Sequence, residues 1–121
     1  MNTASANDIG ALGLHDATLN GVEILWKEGR CLIHLNVWSD QTQSSTPCTL
    51  EFVDVTSVVV PKSEPWGPSV SVNNAKFSDG KFNIEMQSGD IIAVTAKSFS
   101  LQSSNPALKQ DAPSARPLAA R

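Results

Sequence analysis

A small antiparallel β-sandwich or open barrel of about six strands is the fold class this sequence predicts. Three observations carry the prediction. Apolar residues alternate with polar ones at period two in several short runs, turn signals separate those runs at close intervals, and no stretch of useful length shows helical periodicity.

The first run, Thr18 to Lys27, places Val22, Ile24 and Trp26 on one face and Glu23 and Lys27 on the other. Glu28-Gly29 then reads as a two-residue turn, glycine taking a positive φ at little cost. Cys31, Ile33, Leu35 and Val37 continue the alternation against His34 and Asn36, so the two runs form a hairpin. Ser39 to Pro47 is rich in Ser, Thr and Gln, with nothing apolar to anchor it, and reads as an exposed connection. In Thr49 to Val60, Leu50 and Phe52 keep one parity while Val53 and Val55 keep the other. Either both faces are covered or a bulge shifts the register.

Lys62-Ser63-Glu64-Pro65-Trp66-Gly67-Pro68-Ser69 follows, in which two prolines and a glycine exclude both helix and central strand and leave a rigid loop. Val70 to Phe77 is extended again, Asp79-Gly80 turns the chain, and Phe82, Ile84 and Met86 alternate with Asn83, Glu85 and Gln87. Ser88-Gly89-Asp90 is a further turn into Ile91 to Leu101, where Ile92, Val94 and Ala96 give way to the opposite parity of Phe99 and Leu101. A bulge near Lys97 or Ser98 is expected there. Ile9, Leu12 and Leu14 fit one helical turn or an extended lead-in equally well.

One domain accounts for all 121 residues. Residues 1–13 are a lead-in, 14–103 the all-β domain, and 104–121, with their prolines, alanines and few large side chains, a flexible tail. Apolar residues make up 40% and charged ones 17%, with no run long enough to span a bilayer, so a membrane is not expected as a partner. The polar start, Met1 to Asp8, lacks a signal-peptide pattern, and a cytoplasmic location is the default. Up to Ser104 six Lys/Arg stand against eleven Asp/Glu, a balance of −5, and beyond it three stand against one, for a total of −3. No basic face is available, so nucleic acid is not expected either.

Cys31 and Cys48 lack the paired spacing of a zinc site. If Trp38 sits beside Cys48 in a hairpin, Cys31 lies about 23 Å away at 3.3 Å per residue, beyond disulfide reach. Two free, partly buried thiols are expected.

The candidate functional residues are few. His15-Asp16 pairs an imidazole with a carboxylate, which suits acid–base chemistry, but neighbours in an extended chain point apart, and Asp before a strand commonly accepts backbone hydrogen bonds. His34 belongs to a strand face with Leu32, Asn36 and Trp38, open to solvent or to a second layer. A metal would need His15, His34 and a further ligand such as Asp16 or Glu64 to converge, and neither metal nor cofactor is expected. The segment Glu64 to Ser69 holds Trp66 between two φ-locked prolines. The indole is either a binding anchor, flanked by Glu64 and Ser69, or a plug over one end of the sheets. Motifs for a serine nucleophile, a phosphate loop or a metalloprotease are all missing from the sequence, so it is not expected to be an enzyme.

Leu14-His15-Asp16-Ala17 ahead of an alternating strand, with Leu50-Glu51-Phe52-Val53-Asp54-Val55 further on, resembles a group of small bacterial all-β proteins over roughly Leu14 to Leu101. Some of these serve as immunity proteins of polymorphic toxin systems and others have no assigned function. The resemblance implies a compact β protein that acts by binding, with His15 and Asp16 as a structural corner. The Glu64 to Ser69 loop departs from that pattern. Three functional readings result: a non-catalytic bacterial binding protein whose acidic body suits a basic toxin, a small-ligand-binding or enzymatic β barrel with His15, Asp16 and His34 near its mouth, and a structural domain that self-associates through a sheet edge or the Trp66 loop.

Overall fold

The computed structural model describes residues 6–103. The flexible tail expected over 104–121 lies outside the described residues, as do the first five residues of the lead-in.

Eight strands follow a 3₁₀ helix, Ala6–Ala11: β1 (Thr18–Leu25), β2 (Arg30–Ser39), β3 (Ser44–Val53), β4 (Ser57–Val59), β5 (Val72–Ser78), β6 (Lys81–Met86), β7 (Ile91–Thr95) and β8 (Ser98–Ser103). They form two four-stranded antiparallel sheets, ordered β1-β2-β3-β8 and β4-β7-β6-β5. The molecule is therefore a sandwich, as predicted; the sheets do not close into a barrel.

The two extra strands come from the two runs whose parity changes. At Asp54, which takes a left-handed φ of 56°, the chain leaves the first sheet and enters the second as β4. At Ala96-Lys97 it crosses back from β7 to β8. Leu50 and Phe52 thus face the core from one sheet and Val58 from the other, and the same holds for Phe99 against Ile92 and Val94. Neither change is the expected bulge. The bulges occur between Leu19 and Gly21 in β1 and between Val72 and Asn74 in β5.

Two other expectations need correction. The first hairpin is joined by four residues, Trp26 to Gly29, because Leu25 already pairs with Arg30, and the Gly29 N–H closes the turn on the Leu25 carbonyl at 3.0 Å. Ser44 to Pro47 is not loop but the start of β3, for Ser39 pairs with Ser44. Pro47 has Asn36 of β2 on one side, and among the described residues no strand pairs with it on the other, where a proline without an N–H is tolerated. This register places Cys48 opposite Leu35, so Cys31 lies four residues along β2, about 13 Å away at 3.3 Å per residue. Both cysteines are free thiols, and burial pushes both thiol pKa values up. Asp79-Gly80 forms the expected turn, with φ of 55° and 75° between the paired Ser78 and Lys81.

Between the sheets Phe82 meets Phe52 at 5.1 Å, Phe77 at 4.9 Å and Phe99 at 5.4 Å between ring centroids. Ile33, Leu35, Leu50, Ile84 and Val94 surround this aromatic knot without measurable exposure or nearly so. Burying these side chains is the main stabilising term, at roughly 1.5–3 kcal/mol each. The 3₁₀ helix packs against β5 and β8 and buries Ile9, so it covers the seam where those two edges face each other. The opposite seam, between β1 and β4, has no such cover among the described residues.

Candidate functional site

β4 and β5 are opposite edges of their sheet, so the chain between them must traverse the sheet end, about 14 Å for three strand spacings. The proline-rich segment makes this crossing and is fastened midway to the turn between β6 and β7. The fastener is Asp90, 6% exposed, whose carboxylate accepts four hydrogen bonds. Oδ1 takes the Ser63 N–H at 2.9 Å and the Ser63 hydroxyl at 3.0 Å, while Oδ2 takes the Glu64 N–H at 3.0 Å and the Ser88 hydroxyl at 2.8 Å. Desolvation pushes the Asp90 pKa up, but these hydrogen bonds, led by the Ser63 N–H, outweigh it and hold the carboxyl below its ordinary value.

The loop is tied twice more. The Trp66 N–H donates to the Ser88 carbonyl at 2.9 Å, and the Gly67 N–H closes a turn on the Glu64 carbonyl at 3.0 Å around Pro65 and Trp66. Glu64 itself has a positive φ of 51°, and its carboxylate meets Lys62 at 3.4 Å. Under the indole lies Gly89. A Cβ there would sit 2.8 Å from Trp66 Cδ2 and 2.9 Å from Pro65 Cγ, and the residue has φ +95°. Glycine is needed on both counts. Trp66 therefore rests one part of its ring on the Gly89 backbone and remains 76% exposed, so it is presented at the surface and does not plug the core.

The same β6–β7 turn receives the second region marked in the sequence. Gln87 Nε2 donates to Asp16 Oδ1 at 2.7 Å and to the Val72 carbonyl at 3.2 Å. His15 Nδ1–H donates to the Asn73 carbonyl at 2.8 Å, and its Nε2 stands 3.6 Å from Asp16 Oδ1. Asp16 has φ 68°, and the surrounding backbone is stitched by Asp16 N–H to Val72 O and Val72 N–H to Ala17 O, both 2.8 Å. His15 and Asp16 thus form the corner that joins the start of β1 to the start of β5.

Of the predicted residues, Glu64, Trp66 and Ser69 share one loop, and His15 and Asp16 reach the other side of the turn that anchors it. Ser69 uses its hydroxyl to accept the Ser71 N–H at 3.1 Å. His34 is elsewhere, on the outer face of the first sheet, where Nε2–H donates to Glu23 Oε1 at 3.1 Å and Nδ1 lies 3.3 Å from the Thr49 hydroxyl. It does not converge with His15, Asp16 or Glu64, and among the described residues no three His, Cys, Asp or Glu side chains gather as a metal site would require. Among the described residues no helix is long and apolar enough to cross a membrane.

Sequence reasoning did not single out Ser63, Gln87, Ser88 or Asp90 as parts of the site. Ser88-Gly89-Asp90 was legible only as a turn, because the donors that Asp90 serves stand 26 and 27 residues earlier.

Beside the loop runs an apolar groove of about 420 Å³, lined among others by Leu19, Val60, Pro68, Val70, Met86 and Ile92. A second groove of about 490 Å³, lined by Ile24, Trp26, Val55 and Val58 among others, lies further along the same β1–β4 seam. Family models, curated proteins and solved structures were all compared with the chain, and none matches.

Proposed function

We propose that this protein acts without catalysis, by binding a protein partner through the Trp66 loop. The observation that carries the reading is a tryptophan 76% exposed on a loop whose backbone is fixed by a buried, fully hydrogen-bonded carboxylate. A rigid indole loses little conformational freedom on docking, and tryptophans of this kind dominate the energetics of protein interfaces. The described body carries six Lys/Arg and eleven Asp/Glu, which favours a basic partner through faster encounter. A bacterial toxin domain, neutralised by an immunity protein of this kind, is the specific form of the reading that the sequence resemblance implies.

The test is a comparison of retained proteins. Immobilised wild-type chain and Trp66→Ala are exposed to an extract of the source cells, and each retained species is then titrated individually. The expected result is a basic protein bound by the wild type and weakened at least about tenfold by Trp66→Ala. Equal affinity for both chains, or no retained protein at all, contradicts the proposal.

A further inference from the structure

The β1–β4 seam is unfinished in a way that fits a second copy of the same chain. From Gly21 to Leu25, β1 has β2 on one side and, among the described residues, no strand on the other, whereas Thr18 and Leu19 are closed by Ser71 and Val70. The facing edge, β4, is only three residues long. Consequently Ile24, which points inward beside the fully buried Cys31, is still 46% exposed. The devices that usually blunt an edge, a bulge and a covering segment, are confined to Leu19–Gly21 and leave the straight part of the strand open.

The two ends of this seam are complementary to each other. At the Leu25 end Trp26 projects from the hairpin, 91% exposed. At the Leu19 end lies the apolar groove formed by Leu19, Val60, Val70, Met86 and Ile92. A two-fold axis through Glu23 would pair the β1 strands of two copies antiparallel, Val22 against Ile24, and, with the extra residue of the Leu19–Gly21 bulge counted, would set Trp26 of each opposite Leu19 of the other, at the mouth of that groove. One surface serving as both knob and hole is what an isologous interface requires. Ile24, Trp26, Val60 and Val70 alone expose on the order of 500 Å², and the flanking backbone and polar rim extend this towards the ~800 Å² per partner of a stable complex.

We propose that the protein forms a two-fold dimer through the free edge of β1, with Trp26 of each copy seated in the Leu19–Val60–Val70 groove of the other. The two sheets that contain β1 then continue as one eight-stranded sheet. The groove borders the same loop, through Pro68 and Ser69, but the Trp66 indole does not line it, so Trp66→Ala separates the dimer from the function proposed above.

Sedimentation velocity of the full chain, from low micromolar to submillimolar concentration, tests the dimer, with Trp26→Ser and Trp66→Ala run alongside. The wild type is expected to approach twice its 12.9 kDa mass. Trp26→Ser should raise the dissociation constant about tenfold or more, and Trp66→Ala should leave it unchanged. A chain retaining only Trp26, with Trp38→Phe and Trp66→Phe, should shift its emission to the blue as the dimer forms. A monomer at every concentration overturns the proposal, as would a dimer indifferent to Trp26→Ser or one lost in Trp66→Ala.

Discussion

The two open sides of the sandwich are treated in opposite ways. Where β5 and β8 face each other, the 3₁₀ helix lies across the gap and Ile9 is buried to 1% exposure. Where β1 and β4 face each other, Ile24, Trp26, Val59, Val60 and Val70 are left exposed, and two apolar grooves run between the edges. Apolar side chains exposed at random need no explanation, but a run of them along one seam, opposite a seam closed by a dedicated element, marks a surface built to be covered by something else. One seam is thus closed by the protein's own 3₁₀ helix and the other, among the described residues, is left open, with the Trp66 loop leading out of it.

Substitutions at the two sides should therefore differ in kind. The largest expected effect is at the closed seam: Ile9→Ala removes the buried side chain of the covering helix and should cost about 2–5 kcal/mol in chemical denaturation. Next is Gly89→Ala, whose new methyl meets Trp66 and Pro65 in a strained backbone. It should destabilise by roughly 1–3 kcal/mol and displace the indole, seen as a shift in tryptophan emission.

Asp90 supplies a pH dependence. Its folded pKa is lower than in the unfolded chain, so its contribution is complete above the ordinary carboxyl value of 3.8 and is lost as pH falls through the lower folded value. Acid titration of wild type and Asp90→Asn should show a loop transition below that ordinary value in the first and none in the second. The smallest effect on folding is expected at the open seam. Measured at concentrations where the wild type is monomeric, Trp26→Ser should change stability by less than about 0.5 kcal/mol. A large loss of stability there would erase the distinction between the two sides.

Much of this architecture was legible in the sequence, for a physical reason. Period-two alternation in Cys31-Ile33-Leu35 or Phe82-Ile84-Met86 records one sheet face against a core, and Asp79-Gly80 can hardly be anything other than a tight turn. The parity changes at Asp54 and at Ala96-Lys97 were visible too, but a bulge and a passage from one sheet to the other leave the same mark on a one-dimensional pattern. Only the partner strands, β7 for β4 and β3 for β8, distinguish them. The register of β2 against β3 was hidden because Ser44 to Pro47 is polar and mostly exposed and carries no apolar alternation. In the candidate site, the oddity of Pro65-Trp66-Gly67 was readable as a rigid loop. What makes it rigid was not, since Asp90, Ser88 and Gly89 act on it from a turn more than twenty residues away. The His15-Asp16 pair, which sequence alone left between chemistry and structure, is a corner bonded to Asn73 and Gln87.

Trp66 is exposed on a loop whose backbone Asp90 pins, and time-resolved anisotropy with acrylamide quenching measures both exposure and immobility in one sample. A chain in which Trp26 and Trp38 are replaced by Phe leaves Trp66 as the only fluorophore. Red-shifted, readily quenched emission is expected, with an anisotropy that decays only with tumbling of the whole molecule, and a fast local decay once Asp90→Asn is added. Blue, protected emission, or a fast local decay already present with Asp90 intact, would contradict it.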